Sequence, residues 1–322
     1  MEPISLVTIG ITSFNAEDTI TAAVESALAQ TWASIEILIV DDCSVDKTYS
    51  ILADLNKKYK EIKIYKNNEN MGVAYTRNKI LNNANGEFVV FFDDDDASVP
   101  ERVGLQINRI INYERMQDCQ GLVICHSSRN IFYPNGEQIV ARTNGEGVEI
   151  VAPHGKSVAE NILLGSSHKD LQGGMPTCSQ MARLSTYKLL DGFDDDFRRS
   201  EDTEFNVRLA KKGGHFVGIA RPLVFQTMTK TSEKTLKEEQ KYTLMLLQKH
   251  RDIPDMYGLY DFCYDWIVAK HLWLQKKKVM FVLEIMKIII RYPAPSLRRL
   301  YVSIHNYRLN NNFSQFHTNS DN

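Results

Sequence analysis

The sequence predicts an α/β fold in which a mostly parallel sheet is covered by helices on both faces and followed by a small helical appendage. Three observations carry this prediction. Short apolar runs alternate with amphipathic segments through the first hundred residues. Those runs are apolar throughout, as strands buried on both faces must be. Beyond Thr231 only helical periodicity remains.

Taken in order, Leu6 to Thr12 reads as a buried strand, and Asp18 to Gln30 as a helix with Ile20, Ala23, Val24, Ala27 and Leu28 on one face. Ile35 to Val40 is a second strand and runs directly into Asp41-Asp42. A helix over Lys47 to Tyr59 is predicted to turn Tyr49, Ile51, Leu52 and Leu55 inward, before a short third strand from Ile62 to Tyr65. Asn70-Met71-Gly72 is a turn, Val73 to Asn82 a helix, and Phe88 to Phe92 a fourth strand that ends in four consecutive aspartates. This order calls for parallel strands joined by right-handed crossovers. In such a sheet the carboxyl ends of the strands share one edge, so Thr12, Asp41, Asp42 and Asp93 to Asp96 are expected to converge there.

Pro100 to Tyr113 reads as a helix and Gly121 to Ile131 as a strand, while residues 132 to 156 suggest a hairpin or mobile loop. Val158 to Leu164 is a helix, Ser179 to Leu184 a strand, and Thr186 to Leu190 helical. Glu201 to Gly213 is a helix with Phe205, Val207, Leu209 and Ala210 inward, and Phe216 to Phe225 returns as a strand. Further helices are expected over Glu233 to His250, Met256 to Leu274, Lys277 to Arg291 and Ser296 to Arg308, before a polar tail. The expected organisation is a catalytic domain over 1–230, with a nucleotide-sugar half to about 105 and an acceptor half over 106–230. A helical region follows over 231–309, and then a disordered tail over 310–322.

Bulk properties narrow the function. A net charge of -2 over 322 residues gives no global reason to expect nucleic-acid binding. The first apolar run lacks a basic flank and a cleavage site, and no later stretch is long enough to cross a bilayer, so a cytoplasmic protein is expected. Five scattered cysteines, without paired spacing, read as reduced and passive.

The chemistry is carried by acids. Four adjacent aspartates repel unless a cation is shared among them, and hard oxygen donors without nearby histidine favour Mn2+ or Mg2+ bound together with phosphate oxygens. The competing reading is a solvated acidic turn before the Pro100 helix. Asp41 and Asp42 suit hydrogen bonds from a nucleobase or ribose, or the capping of the helix at Lys47. Arg77 suits a diphosphate, or the aspartates themselves. Within Ser200-Glu201-Asp202-Thr203-Glu204 the acids suit either the helix dipole or a general base. Residues 11–17 lack both glycine and lysine, which disfavours a nucleotidyltransferase phosphate loop.

Five blocks together resemble the inverting family 2 glycosyltransferases of the GT-A fold: VTIGITSFNAEDTITAAVESALAQTW, EILIVDDCSVDKT, NENMGVAYTRNKIL, GEFVVFFDDDDASVPERV and LLDGFDDDFRRSEDTEFNVRLAKKGG. They cover roughly residues 5 to 105 and 185 to 215. The resemblance implies that Thr12, Phe14 and Asp42 frame the base with Asp41 beside them, and that Arg77 supports the nucleotide. It implies that Asp93, Asp94 and Asp95 form the Asp-x-Asp element, with Asp95 foremost and Asp93 beside it as metal ligands and Asp96 facing the sugar or the second shell. It also implies that Asp202 is the base, beside Glu201. Phe14 stands where tyrosine is common, and no histidine stands just after the Phe216 strand, where some relatives place another metal ligand.

The implied function is transfer of a sugar from a nucleoside-diphosphate sugar, UDP by expectation, to a hydroxyl of a glycan or lipid-linked saccharide in bacterial surface-polysaccharide synthesis. A non-catalytic nucleotide-sugar-binding subunit is the alternative. In the C-terminal helices, Trp266, Trp273 and Phe281 alternate with Lys270, Lys276 to Lys278, Lys287, Arg291, Arg298, Arg299 and Arg308. That pattern suits peripheral contact with the inner face of an anionic membrane, and packing on the catalytic domain or a homodimer explains the same apolar positions.

Overall fold

The computed structural model describes residues 4–117, 122–166, 170–171, 173–228 and 235–305, with backbone only over 301–305. These residues fall into two compact units: Met1–Gly155 with Asp170–Thr229, and Lys156–Lys169 with Lys230–Asn322. The expected tail and Arg308 lie outside the described residues.

The first unit is built on one nine-stranded sheet. Strands β1 (Val7–Ser13), β2 (Ile35–Asp41), β3 (Ile62–Lys66) and β4 (Phe88–Asp93) pair in the order β3-β2-β1-β4, all parallel. Helices α1 (Ile20–Leu28), α2 (Thr48–Lys58) and α3 (Val73–Asn83) make the crossovers. Apolar side chains of β1 and β4 are buried on both faces, which explains their unbroken apolar runs. The core gathers Val7, Ile9, Ile11, Ile20, Val24, Ile37, Ile39, Leu52, Phe88, Val90 and Phe92. Tyr49 is the exception to the inward face predicted for α2. It is 40% exposed, with Lys66 Nζ 4.5 Å above its ring, because one cation on a neighbouring strand end stabilises the aromatic face at the surface.

Past β4 the sheet becomes mixed. A two-residue strand β5 (Ala97–Ser98) and helix α4 (Arg102–Gln117) precede β6 (Val123–Phe132), β7 (Gln138–Ala141), α5 (Lys156–Leu164), β8 (Gln180–Arg183), α6 (Leu184–Leu189), α7 (Glu201–Lys211) and β9 (His215–Thr227). Strand β8 inserts antiparallel between β4 and β6, β9 runs parallel to β6 with register shifts at Ser127 and Ser128, and β5 pairs antiparallel with β9. The segment after β6 does fold back as a hairpin, β6 with β7. The expected parallel pairing therefore holds throughout the first four strands, and beyond them only for β9 against β6 among the described residues.

The second unit contains α5, α8 (Leu236–Lys249), α9 (Asp252–Met256), α10 (Tyr260–Leu274), α11 (Lys278–Arg291) and α12 (Pro293–His305). The prediction passed over α9, a single five-residue turn of helix. Leu247, Phe262, Cys263, Trp266, Ile267, Ala269 and Ile288 form its core. This corrects the surface assignment of two residues. Trp266 is buried, and the Arg299 guanidinium lies 5.7 Å from its ring and donates to the Leu164 carbonyl at 2.8 Å. Lys270 pairs with Glu239, Lys287 with Glu284 and Asp265, and Arg291 with Asp261. No helix among the described residues is long and apolar enough to cross a membrane.

Candidate active site

The parallel strands deliver their acids to one edge, as the topology requires. In register, Ser13 of β1 lies beside Asp41 of β2, and Thr12 beside Asp93 of β4. Just past β1, Phe14 is 40% exposed, and its backbone N–H donates to Asp94 Oδ2 at 2.9 Å. The edge thus presents an aromatic face held in place by the acidic loop.

Asp41 and Asp42 are neighbours with different duties. Asp42 Oδ1 accepts from Asn67 Nδ2 at 2.7 Å and from Met71 N at 2.9 Å, and its Oδ2 accepts from Gly72 N at 2.8 Å. It anchors the turn that starts α3. Gly72 has φ +89, a conformation that side chains resist, so this anchor depends on glycine. Asp41 is fully buried; its Oδ2 accepts from Ser44 N at 3.1 Å, while its Oδ1 has no hydrogen-bond partner. A buried carboxylate oxygen left without a donor is costly, and a ligand N–H or O–H relieves that cost.

Arg77 joins the two ends of the site. It lies on α3, only 4% exposed, between the rings of Phe91 and Phe193 at 5.8 and 5.6 Å. One Nη pairs with Glu201 at the start of α7, and the other reaches Asp93 Oδ1 at 3.4 Å. Burial opposes its charge, but Glu201, Asp93 and Asp202 together raise its pKa. Glu201 is pushed up by burial, eased by Arg77 and opposed again by Asp202. Arg77 thus feels the charges of both Asp93 and Asp202. Half-buried Asp202 follows a left-handed Ser200, φ 62, and its Oδ1 accepts from Thr203 N at 2.6 Å.

Asp96 is the most perturbed acid. It is 6% exposed; Oδ1 accepts from Thr227 N at 3.1 Å, and the buried Oδ2 has no partner. Burial first, then the charges of Asp93 and Asp95, push its pKa up to about 8. Ligand atoms of Asp93, Asp96 and Cys178 lie within 4.8 Å of one another. Two hard carboxylates, one with an orphaned oxygen, fit a divalent cation. The Cys178 thiol is raised well above its ordinary value by burial and stays protonated, so it is a poor partner for such an ion. Asp95 is half-buried on the same loop but outside this grouping.

Three residues escaped the sequence reasoning. Arg102, fully buried, donates to Gln106 Oε1, Ser98 Oγ and the Phe91 carbonyl at 3.0, 2.9 and 3.0 Å. It clamps β4 to β5 around the aspartates. Its signal was a cation placed directly after an acidic loop and a proline. Arg129 lowers the Asp96 pKa from β6 and bonds Gln226 on β9, and Cys178 approaches from a turn before β8. Both arrive through long-range pairing that no local pattern encodes.

Comparison with known proteins agrees with this fold. Residues 8–158 match the model described as Glycosyl transferase family 2. A β-1,3-glucosyltransferase from Escherichia coli, WfaP, described as acting between UDP-Glc and α-D-GlcNAc-diphosphoundecaprenol, is 44% identical over 103 residues, covering 32% of this chain and 40% of that protein. The putative teichuronic acid biosynthesis glycosyltransferase TuaG of Bacillus subtilis is 39% identical over 102 residues, again 32% and 40%. The matched stretch thus spans about two fifths of these relatives. The structure of S. aureus TarS 1-349 in complex with UDP-GlcNAc superposes with a TM-score of 0.61 at 16% identity, over 98% of this chain and 91% of that one. The α/β GT-A fold and the resemblance to family 2 glycosyltransferases are borne out.

Proposed function

From a chain that carries the family 2 glycosyltransferase match over residues 8–158, we propose an inverting transferase. It moves a sugar from a nucleoside-diphosphate sugar, UDP by preference, to a hydroxyl of a glycan or lipid-linked saccharide in surface-polysaccharide assembly. The observation that carries this reading is Arg77, whose guanidinium pairs at once with Asp93 and Glu201. It ties the acidic loop that suits a diphosphate to the helix start that offers a base. Residues up to about 105 form the donor half in this reading, and 106–230 the acceptor half.

Phe14 stacks on the base and Asp41 Oδ1 accepts from it or from the ribose, which gives that buried oxygen its missing donor. Asp93, Asp95 and Asp96 would hold Mn2+ or Mg2+, which supplies charge neutralisation for the departing diphosphate. Asp202 takes the proton from the acceptor hydroxyl as that oxygen bonds to the anomeric carbon and the bond from this carbon to the diphosphate oxygen breaks. The configuration inverts because the displacement is single. Glu201, engaged by Arg77, orients the helix start rather than moving the proton.

The test is a panel of nucleotide sugars with manganese and an acceptor, following release of nucleoside diphosphate. One donor is expected to turn over, and Asp202→Asn is expected to lose about 10²–10⁴-fold in kcat with little change in donor binding. Equal turnover by the two proteins removes Asp202 from its role. Donor binding without turnover of any donor favours the non-catalytic binding subunit.

A further inference from the structure

Helix α11 is apolar on two opposite sides, and only one of them packs on a core among the described residues. At ~100° per residue, Phe281, Ile285 and Ile288 fall on one side. Ile288 is buried, and the other two pack on the core of the second unit. On the other side, Val279, Leu283, Met286 and Ile290 fall within about 60° of one another. They are 75%, 63%, 54% and 80% exposed, and Leu297 of α12 adds another exposed leucine. A continuous apolar stripe of this kind on a surface helix marks an interaction face.

Its surroundings select the occupant. From Gln275 to Leu300 the chain carries seven basic side chains and a single acid, Glu284. Arg299 is spent inside the unit, and Lys287 and Arg291 are paired with acids. Lys276, Lys277, Lys278 and Arg298 are exposed and have no acidic partner among the described residues. The three lysines also crowd the start of α11, whose first turn has no acid, so they oppose the helix dipole. A second copy of this face would bring like charges together. Anionic headgroups would neutralise them.

We propose that α11 docks this protein on an anionic lipid surface, with Val279, Leu283, Met286 and Ile290 entering the headgroup–acyl boundary and Lys276–Lys278 and Arg298 holding phosphates. The helix is 14 residues long, roughly 21 Å at 1.5 Å per residue, too short to span the ~30 Å hydrocarbon layer, so it lies in the plane of the interface. The inference goes beyond the transferase reading and does not depend on it.

The experiment is sedimentation of the full chain with vesicles of phosphatidylglycerol and phosphatidylcholine, against vesicles of phosphatidylcholine alone. Binding is expected only with the anionic vesicles and is expected to weaken with salt. Leu283→Glu with Ile290→Glu should reduce it at least tenfold, and Lys276→Gln, Lys277→Gln and Lys278→Gln together about a hundredfold. Circular dichroism and the unfolding midpoint should be unchanged, since every substituted side chain is exposed. Equal binding to neutral vesicles, no binding to either, or undiminished binding by the glutamate variant overturns the proposal. So does a lipid-free dimer that the glutamate variant dissociates, which would make a second copy the occupant. Nucleoside diphosphate release to a soluble acceptor reads the transferase activity separately, so failure of one inference leaves the other standing.

Discussion

Between β3 and β4 every strand runs parallel and ends at the same edge, whereas from β8 to β5 the sheet is mixed, with β8 and β5 antiparallel to their neighbours, β9 parallel to β6, and long segments intervening. The parallel half concentrates its acids by topology alone: Asp41, Asp42 and Asp93 arrive because their strands stop there. The mixed half brings its groups one at a time, Arg129 from β6, Thr227 from β9, Glu201 and Asp202 from α7. The acidic edge is thus a property of the sheet, and the remainder is a property of particular contacts. Arg77 is where the two meet.

That division is most exposed to attack at Arg77 itself. Arg77→Ala removes the cation between Asp93 and Glu201 and leaves a buried carboxylate unpaired. A loss of about 3–5 kcal/mol in unfolding free energy is expected, and turnover should vanish with it. Arg77→Lys keeps the charge but cannot span both partners, so it should recover part of the stability and little of the activity. Unfolding by urea and nucleoside diphosphate release measure the two. If Arg77→Ala folds with unchanged stability, the bridge between the halves has no energetic content.

A smaller effect separates Asp42 from Asp41 within the parallel half. Asp42→Asn keeps a single acceptor oxygen, so either Met71 N or Gly72 N loses its acceptor and faces an amide N–H instead, and about 1–3 kcal/mol of stability should go with it. Asp41→Asn changes the oxygen that has no protein partner, so its main effect should fall on donor binding, roughly tenfold in KM, with kcat nearly unchanged. Calorimetry with the nucleoside diphosphate distinguishes them. Should Asp42→Asn raise KM and leave stability intact, the two assignments exchange.

The same comparison explains what the sequence could disclose. The first four strands and their helices were legible because local periodicity determines them, and so was the convergence of Thr12, Asp41, Asp42 and Asp93. The antiparallel insertion of β8 was not legible. Four residues of Gln-Met-Ala-Arg carry no directional signal, and their partners on β4 and β6 are distant in sequence. Arg77 was legible as either a diphosphate ligand or a partner of the aspartates; the structure adds the contact with Glu201, 124 residues away. In the second unit, periodicity located the helices but not their outward faces. Trp266 and Arg299 look like surface groups in the sequence until α5 and α10 supply their neighbours.

The smallest expected effect is also the most diagnostic of the acidic loop, because it is a slope rather than a loss. With Asp96 raised to about 8 from 3.8, the folded protein keeps a proton that the unfolded chain has released. Its stability contribution is therefore full below about pH 4 and declines as pH rises through 8. His126 works the other way. Burial lowers it to about 3 from 6.5, so the folded protein gains stability as pH rises between those values. Above pH 6.5 the histidine contribution is flat, and between 6.5 and 8 the metal-free protein should unfold at progressively lower temperature because of Asp96. In the proposed metal site manganese would displace that proton to reach the orphaned Oδ2, so its protection should grow over the same window. Asp96→Asn should flatten both trends. A slope that survives the substitution would assign the titration elsewhere and leave the parallel half without its most strongly perturbed carboxylate.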